Sequence, residues 1–147
     1  MKIRVLLVDD QEQFVQLMTE RLTMLRDYDV TSSSSGEEAL EKVKGYNFDV
    51  VILDILMTGI DGIETLREIK SMKPLTEVIV LTGHAAVDTA IEGMKLGAFD
   101  YLEKPCETED LVSKIDKAYQ RKAEQEERIR AAKAADVLAS ARSVLKD

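Results

Sequence analysis

An α/β fold with a doubly wound, five-stranded parallel sheet is the fold class that this sequence predicts. Two observations carry the prediction: five short apolar runs recur along the 147 residues, and each interval between them has room for a helix. Strands that alternate with helices form parallel sheets covered on both faces. The apolar runs are IRVLLV (3–8), YDVTSS (28–33), FDVVILD (48–54), TEVIVLT (76–82) and FDYLEK (99–104).

Residues that begin and end helices mark the intervals between the predicted strands. Three pairs have the spacing of a capping box, in which a side chain at the helix start bonds the backbone three positions later. The pairs are Asp10 with Gln13, Ser35 with Glu38, and Asp61 with Glu64. Gly45 and Gly97 lie where two helices should end. The first helix has its apolar residues on one face, at Phe14, Leu17, Met18 and Leu22.

The fourth helix is predicted to run through AAVDTAIEGMKLG, residues 85–97. Gly93 lies inside it and should weaken it by about 1 kcal/mol relative to alanine. A glycine at this position is compatible with a mobile helix and equally with close packing.

One long terminal helix, with at most one break, is predicted from Thr108 onward, because this part of the chain lacks Gly and Pro and is rich in Ala, Lys, Glu and Arg. We expect residues 1–122 to form the domain and 123–147 a helical C-terminal extension or linker. A narrow apolar stripe in the extension could pair with a partner helix, and a solvated helix or a linker to an output domain is equally open. The stripe consists of Ala131, Ala134, Leu138, Ala141 and Leu145.

Composition limits the classes of protein to be considered. With 45% hydrophobic residues the chain can bury a core, and the single cysteine, Cys106, excludes an internal disulfide. The formal net charge of −8 is the sum of −10 for residues 1–118 and +2 for residues 119–147. The strongly acidic domain argues against nucleic-acid binding there. The first apolar run stops at Asp9, too early for a signal peptide or a membrane span, so we expect a soluble cytoplasmic protein without membrane contact.

Polar residues follow the predicted strands at the points where the strands end. Since ligands of doubly wound sheets bind at the carboxyl ends of the strands, these residues should meet at one edge. They are Asp9 and Asp10 just after the first strand, Asp54 at the end of the third, Thr82 at the end of the fourth and Lys104 at the end of the fifth. Three carboxylates repel one another unless a cation lies among them, and Mg2+ takes oxygen ligands of this kind. A lysine and a hydroxyl beside them would suit phosphoryl transfer.

Single residues of this set also have ordinary explanations. Asp9 and Asp10 alone could be a solvated loop and a helix cap, and Lys104 a surface lysine. Tyr101, which lies in the fifth run outside this set, could be a core residue. The concurrence of five such residues at matching strand ends favours the site. His84 and Cys106 lack neighbours in the pattern that would give them a chemical role.

The motifs VLLVDD, VVILDILM followed by DG, VIVLTGHA and GAFDYLEKP together resemble the receiver domain of bacterial two-component response regulators, over residues 1 to about 122. The resemblance implies the flavodoxin-like strand order 2-1-3-4-5. It implies Asp54 as the phosphoacceptor, with Asp9, Asp10, Asp54 and the Leu56 carbonyl as ligands of Mg2+. It also implies that Lys104 and Thr82 contact the phosphoryl group.

The same resemblance implies how such a domain signals. The phosphodonor would be a sensor histidine kinase or a histidine phosphotransfer protein, and the domain would act on a downstream effector protein. Thr82 and Tyr101 would form the switch, altering the face of helix four, strand five and helix five. That face or the C-terminal helix could form a dimer. The domain would catalyse its own phosphorylation and dephosphorylation without being an enzyme in the usual sense.

The sequence departs from the family pattern at one position. Thr58 stands where family members commonly have proline, which should loosen the loop after Asp54.

Three alternative functions remain open. A phosphohydrolase with Asp9 as nucleophile is one alternative, although the chain lacks an Asp-x-Asp-x-Thr motif there. The others are the receiver part of a longer regulator and a domain with a vestigial site.

Overall fold

The computed structural model describes residues 2–56, 61–83 and 87–145, and within them five strands alternate with five helices. The predicted Thr58 and His84 features lie outside the described residues. The elements are β1 (Arg4–Val8), α1 (Glu12–Leu25), β2 (Asp29–Ser33), α2 (Gly36–Gly45), β3 (Val50–Asp54), α3 (Gly62–Met72), β4 (Glu77–Thr82), α4 (Val87–Lys95), β5 (Asp100–Glu103) and α5 (Thr108–Leu145).

The five strands form one parallel sheet in the order β2-β1-β3-β4-β5, which confirms the predicted fold class. The order reverses between β1 and β3, and a crevice for ligands opens at such a reversal. In the register of these two strands Val8 lies opposite Leu53, so Asp9 and Asp54 follow side by side at the carboxyl edge.

The central strands are apolar on both sides because helices cover both faces of the sheet. Every residue of β3 and β4 is buried, as expected for the middle of a parallel sheet. Alternate residues of β1 enter two separate cores: Val5 and Leu7 pack with α1 and α5, whereas Leu6 and Val8 pack with α2 and α3. These two cores fix the strand ends and therefore the positions of the polar residues that follow them.

Two of the three predicted helix caps are confirmed. The Ser35 hydroxyl accepts a hydrogen bond from the Glu38 N–H at 3.1 Å, at the start of α2. The Asp61 carboxylate accepts one from the Glu64 N–H at 2.8 Å, at the start of α3. Each cap satisfies a backbone donor that the first turn of a helix leaves free.

The predicted cap at Asp10 is wrong. The N-cap residue of α1 is Gln11, and its side chain makes no capping hydrogen bond. The reason is the residue before Asp10. The Asp9 carboxylate accepts a hydrogen bond from the Gln11 N–H at 2.9 Å, and this turn delays the start of the helix by one residue.

Three glycines show how closely the backbone segments approach one another. A Cβ on Gly62 would lie 2.4 Å from the Ile55 Cα, so the start of α3 can pack on the loop after β3 only without a side chain. Gly97 has a φ of +107° just after α4, which suits the predicted helix end. A Cβ on Gly93 would meet Leu66 at 3.4 Å, so this glycine lies in a close but tolerant contact.

Helix α5 is continuous from Thr108 to Leu145, as the sequence predicts for a long terminal helix. Its inner face is buried at intervals as far as Lys122, whereas all described residues from 127 to 145 are exposed. Within the described part of the chain, no helix is both long and apolar enough to cross a membrane.

Two consecutive basic residues anchor α5 at the edge of the sheet opposite the strands' carboxyl ends. Arg121 donates to the buried Glu77 at the start of β4, and its guanidinium lies 4.7 Å from the centre of the Phe99 ring. Lys122 lies 3.2 Å from the carboxylate of Asp49, the residue before β3. Both carboxylates are buried, and each has a second basic partner outside α5: Arg4 for Asp49 and Lys70 for Glu77. The residues on α5 therefore add to ion pairs that hold two buried charges.

Candidate functional site

The three predicted acidic residues meet at the carboxyl edge of the sheet. A carboxylate oxygen from each of Asp9, Asp10 and Asp54 lies within 4.8 Å of the others. Asp9 and Asp54 are 1% and 6% exposed, whereas Asp10 faces solvent. The cluster is therefore a crevice closed at its base and open on the Asp10 side.

Lys104 reaches into this cluster from the residue after β5. Its ammonium donates to Asp9 and, at 3.2 Å, to Asp54. A third hydrogen bond, of 3.1 Å, goes to the amide oxygen of Gln11. The ammonium also lies 4.3 Å from the centre of the Phe14 ring, close enough for a cation–π contact.

Asp54 is held in an environment that disfavours its charge. Burial raises the pKa of the Asp54 carboxyl above its ordinary value, and the nearby Asp9 carboxylate adds to the rise. The Leu56 N–H, 3.0 Å from Oδ1, and the Lys104 ammonium act in the opposite direction. A carboxylate that is short of solvent and beside another carboxylate gains from any cation that enters the crevice.

Thr82 and Tyr101 lie on the neighbouring strands β4 and β5, Thr82 at the carboxyl end and Tyr101 two positions further from that edge in the register. Thr82 is the last residue of β4 and is fully buried, and its hydroxyl has no hydrogen-bond partner among the described residues. A buried hydroxyl without a hydrogen-bond partner is uncommon, although Thr19 and Ser33 also have one among the described residues. Tyr101 is in β5, opposite Val80 in the register, and is 38% exposed.

The donor set fits a hard divalent cation such as Mg2+. Carboxylate oxygens are the ligands that Mg2+ prefers, and it commonly uses one or two of them and keeps several waters. The cluster of Asp9, Asp10 and Asp54 offers such oxygens within a small volume, on a side open to solvent. Leu56, two residues beyond Asp54, is exposed beside the cluster; the role of its carbonyl as a ligand stays a prediction.

Gln11 and Phe14 are parts of the site that the sequence interpretation missed. Phe14 was assigned only to the apolar face of α1, and Gln11 had no role. Both contact Lys104, which is 93 positions from Gln11, so a tertiary contact decides their role. The sequence offered no signal for Gln11, because Asp10, a preferred N-cap residue, was the predicted cap.

The sheet order and this site define a class of protein. It is the class of α/β receiver domains, in which acidic residues at the reversal of strand order lie beside a lysine from the last strand. The sequence profile described as "Response regulator receiver domain" matches residues 5–116. The chain belongs to this family, and it is a receiver domain of the response-regulator type.

Individual relatives agree with this assignment. The chain is 39% identical over 116 residues to the transcriptional regulatory protein ZraR of Escherichia coli strain K12. The match covers 79% of this chain and 26% of ZraR, so the chain spans about a quarter of the length of the curated relatives it matches.

Solved structures match over most of the chain. A receiver domain protein from Clostridium thermocellum has a TM-score of 0.77 and 38% identity, covering 82% of this chain and 96% of that one. A structure described as adenylate cyclase from Rhodopirellula baltica has a TM-score of 0.85 and 29% identity, covering 90% of this chain and 98% of the other. The shared architecture therefore includes nearly all of each matched chain.

Proposed function

We propose that Asp54 accepts a phosphoryl group in a Mg2+-dependent reaction and that the domain passes this state to a downstream effector protein. The donor would be a sensor histidine kinase or a histidine phosphotransfer protein. The observation that carries the proposal is the contact of Lys104 with both Asp9 and Asp54 inside a cluster of three carboxylates. This set combines a nucleophile, metal ligands and a fixed positive charge.

The reaction needs little from the protein beyond position and charge. A carboxylate oxygen of Asp54 forms a new P–O bond while the P–N bond of the donor phosphohistidine breaks and its electron pair goes to the imidazole nitrogen. The buried Asp54 has few competing water contacts, which favours attack by its oxygen. The Lys104 ammonium and the unpartnered Thr82 hydroxyl can donate to phosphoryl oxygens.

Asp9, Asp10, Asp54 and the Leu56 carbonyl would hold Mg2+. Bound there, the ion would supply positive charge that offsets the carboxylates and the negative phosphoryl oxygens. The raised pKa of Asp54 supports this assignment, because burial and then the Asp9 carboxylate disfavour the ionised form, which a bound cation would favour. The protein thus catalyses its own phosphorylation, and by the same groups its dephosphorylation, with the kinase as a substrate.

The switch would start at Thr82. A phosphoryl group on Asp54 adds negative charge that an unsatisfied hydroxyl can approach and bond. Movement of Thr82 would leave space next to β5, and the half-exposed Tyr101 ring can turn into it. The face formed by α4, β5 and α5 would then present a different surface to an effector or to a second copy of the chain.

We propose a division into a receiver domain, residues 1–122, and a helical extension, residues 123–147. The loss of burial along α5 after Lys122 supports this division. The extension would serve as a dimerisation helix or as a connection to an output domain. ZraR, which is nearly four times as long as the matched segment, is named a transcriptional regulatory protein, and the extension occupies the position from which such an output would follow.

The test is mass spectrometry of the intact protein after incubation with Mg2+ and acetyl phosphate or phosphoramidate. We expect one added phosphoryl group on Asp54, lost after chelation of the metal and in Asp54→Asn. Asp136→Asn, an exposed site on the extension, is the matched control and should be phosphorylated normally. Hydrogen exchange with beryllofluoride, a phosphoryl mimic, should change in α4 and β5 if the switch operates.

The phosphohydrolase alternative predicts a different result. Steady turnover of a small phosphomonoester that is lost in Asp9→Asn and kept in Asp54→Asn would contradict the phosphoacceptor proposal. A phosphoryl group found on any residue other than Asp54 would also contradict it.

A further inference from the structure

The hydrogen bonds of Lys104 use every proton that its ammonium group can donate. A lysine ammonium has three N–H donors. Its three acceptors here are a carboxylate oxygen of Asp9, a carboxylate oxygen of Asp54 and the amide oxygen of Gln11. An incoming phosphoryl oxygen can therefore bond Lys104 only if one of the three acceptors gives up its place.

Gln11 is the acceptor that is easiest to replace. The other two acceptors are carboxylates, whose negative charge attracts the lysine ammonium, whereas the Gln11 amide is neutral. Asp54 keeps this charge until its oxygen bonds the phosphoryl group, so the exchange at Gln11 comes before that bond forms. Asp9 is also buried, whereas Gln11 is exposed and water can solvate its amide once the bond is broken. Exchange at Gln11 leaves no buried group without a partner.

The position of Gln11 indicates that this contact has a function. Gln11 is the N-cap residue of α1, yet its side chain does not cap the helix. An N-cap of Ser, Thr, Asp or Asn would typically stabilise a helix more. Such a short side chain would not extend as far as glutamine does toward Lys104. The N-cap position of α1 is thus occupied by a residue that does not favour the helix. That residue, Gln11, accepts a hydrogen bond from Lys104 instead.

Phe14 limits where the ammonium can go. Its ring lies one helical turn beyond Gln11, and the ammonium is 4.3 Å from the ring centre. The aromatic face attracts the cation without offering an acceptor. When the bond to Gln11 breaks, the ammonium can stay over the ring and keep its bonds to the carboxylates while its third N–H turns to a new partner.

We propose that Gln11 is a positioning residue that occupies the third hydrogen-bonding position of Lys104 in the unphosphorylated site and yields it to a phosphoryl oxygen. This inference rests on the proposed function of Asp54. Gln11 would then oppose phosphorylation. The stronger the hydrogen bond between residue 11 and Lys104, the weaker the interaction of Lys104 with the phosphoryl group.

Two substitutions of Gln11 should act in opposite directions. Gln11→Leu keeps the approximate size and removes the acceptor, so beryllofluoride should bind about 2- to 10-fold more tightly, the range of one ordinary hydrogen bond. Gln11→Glu replaces the amide by a charged acceptor that holds Lys104 and repels the phosphoryl mimic, so binding should weaken by at least about 10-fold. General damage to the site would weaken binding in both variants.

The experiment is a titration with beryllofluoride at saturating Mg2+, followed by 19F NMR. Gln13→Leu is the matched control, since Gln13 is exposed on the same helix and the same change there should leave the affinity within about twofold of the wild type. The Mg2+ affinity of each protein is measured separately, so that added metal binding by Gln11→Glu is recognised. Thermal unfolding verifies that each variant is folded, and Gln11→Ala replaces Gln11→Leu if the latter is not.

The outcomes separate the two proposals. If the wild type neither binds beryllofluoride nor becomes phosphorylated on Asp54, the proposed function fails. If the wild type does both, but Gln11→Leu binds with unchanged or weaker affinity, Gln11 does not hold the position of the phosphoryl oxygen and the present inference is wrong. Opposite shifts in the Leu and Glu variants support it.

Discussion

Replacing Asp54 by asparagine should stabilise the protein in the absence of Mg2+. The change removes one charge from a buried group and keeps its shape, so the hydrogen bond from the Leu56 N–H, 3.0 Å long, can remain. Asp54 lies within 4.8 Å of two other carboxylates and is 6% exposed. The pKa of Asp54 is raised, first by burial and then by the Asp9 carboxylate. The ionised form of Asp54 is therefore less favourable in the folded protein than in the unfolded chain.

The size of this effect follows from the distances. At 4.8 Å and an effective dielectric constant near 20, each carboxylate pair repels by about 3.5 kcal/mol. Attraction to Lys104, 3.2 Å away, recovers about 5 kcal/mol at the same dielectric constant. The two repulsions exceed this attraction by about 2 kcal/mol, and solvent around Asp10 weakens its share. We therefore expect Asp54→Asn to raise the free energy of unfolding by about 1–2 kcal/mol in EDTA at neutral pH.

Mg2+ should reverse the order of stability. A ligand at one hundred times its dissociation constant stabilises the folded state by about 2.7 kcal/mol, which exceeds the expected advantage of Asp54→Asn. This variant loses a charged ligand for the ion and should gain much less. Thermal unfolding in EDTA and in Mg2+ measures both effects, with a shift in Tm of about 2–4 °C for each kcal/mol. Equal stabilisation of both proteins by Mg2+ would show that Asp54 is not a ligand.

The dependence on pH gives an independent measurement. Because the pKa of Asp54 is raised in the folded state, the folded protein binds this proton more tightly than the unfolded chain does. Its contribution to stability is complete below the ordinary carboxyl value of 3.8 and is lost as the pH rises through the raised pKa. The advantage of Asp54→Asn should therefore narrow from neutral pH toward 3.8. A variant less stable than the wild type in EDTA at neutral pH would refute the reasoning, since attraction to Lys104 would then dominate.

Two further substitutions test the packing and the polar contacts of the fold by urea unfolding. Gly62→Ala should cost about 3 kcal/mol, because the new Cβ would lie 2.4 Å from backbone at Ile55; Gly45→Ala, with no described heavy atom within 4 Å of its Cβ, is the control and should change stability by less than about 1 kcal/mol. Equal effects would contradict the close approach of α3. Tyr28→Phe should cost about 1 kcal/mol by removing the 2.6 Å hydrogen bond to Asp116. Burial and then Asp116 raise the pKa of Tyr28, so the wild type should lose stability as the pH rises above the ordinary value of 10.0, and Tyr28→Phe should lose less; parallel alkaline profiles would count against this role.

The sequence predicted the fold and the meeting of the site residues for one physical reason. Apolar runs indicate buried parallel strands, and the residues at the end of each run or directly after it must lie at the carboxyl edge. Asp9 and Asp54 are neighbours because β1 and β3 pair. The functional roles of these residues remain predictions, because position alone does not establish chemistry.

Features that depend on side chains from distant segments could not be predicted. The cap at Asp10 failed because the neighbouring Asp9 uses its own carboxylate to extend the turn. Gln11 and Phe14 contact Lys104 only after β1 and β5 are in the same sheet. The fourth helix ends at Lys95, two residues before the predicted end at 97, and the predicted start at 85 lies outside the described residues.

The two basic residues that hold α5 against the sheet make the helix a lever whose pivot lies at the opposite edge of the sheet from the proposed phosphorylation site. Arg121 and Lys122 fix the pivot on Glu77 and Asp49. From there α5 runs on to Leu145, roughly 35 Å at 1.5 Å per residue. A tilt of about 5° at the pivot would sweep the far end through about 3 Å over that length. Small displacements of β4 or β5 would therefore produce larger displacements at the C-terminal end of α5 and at any partner bound there.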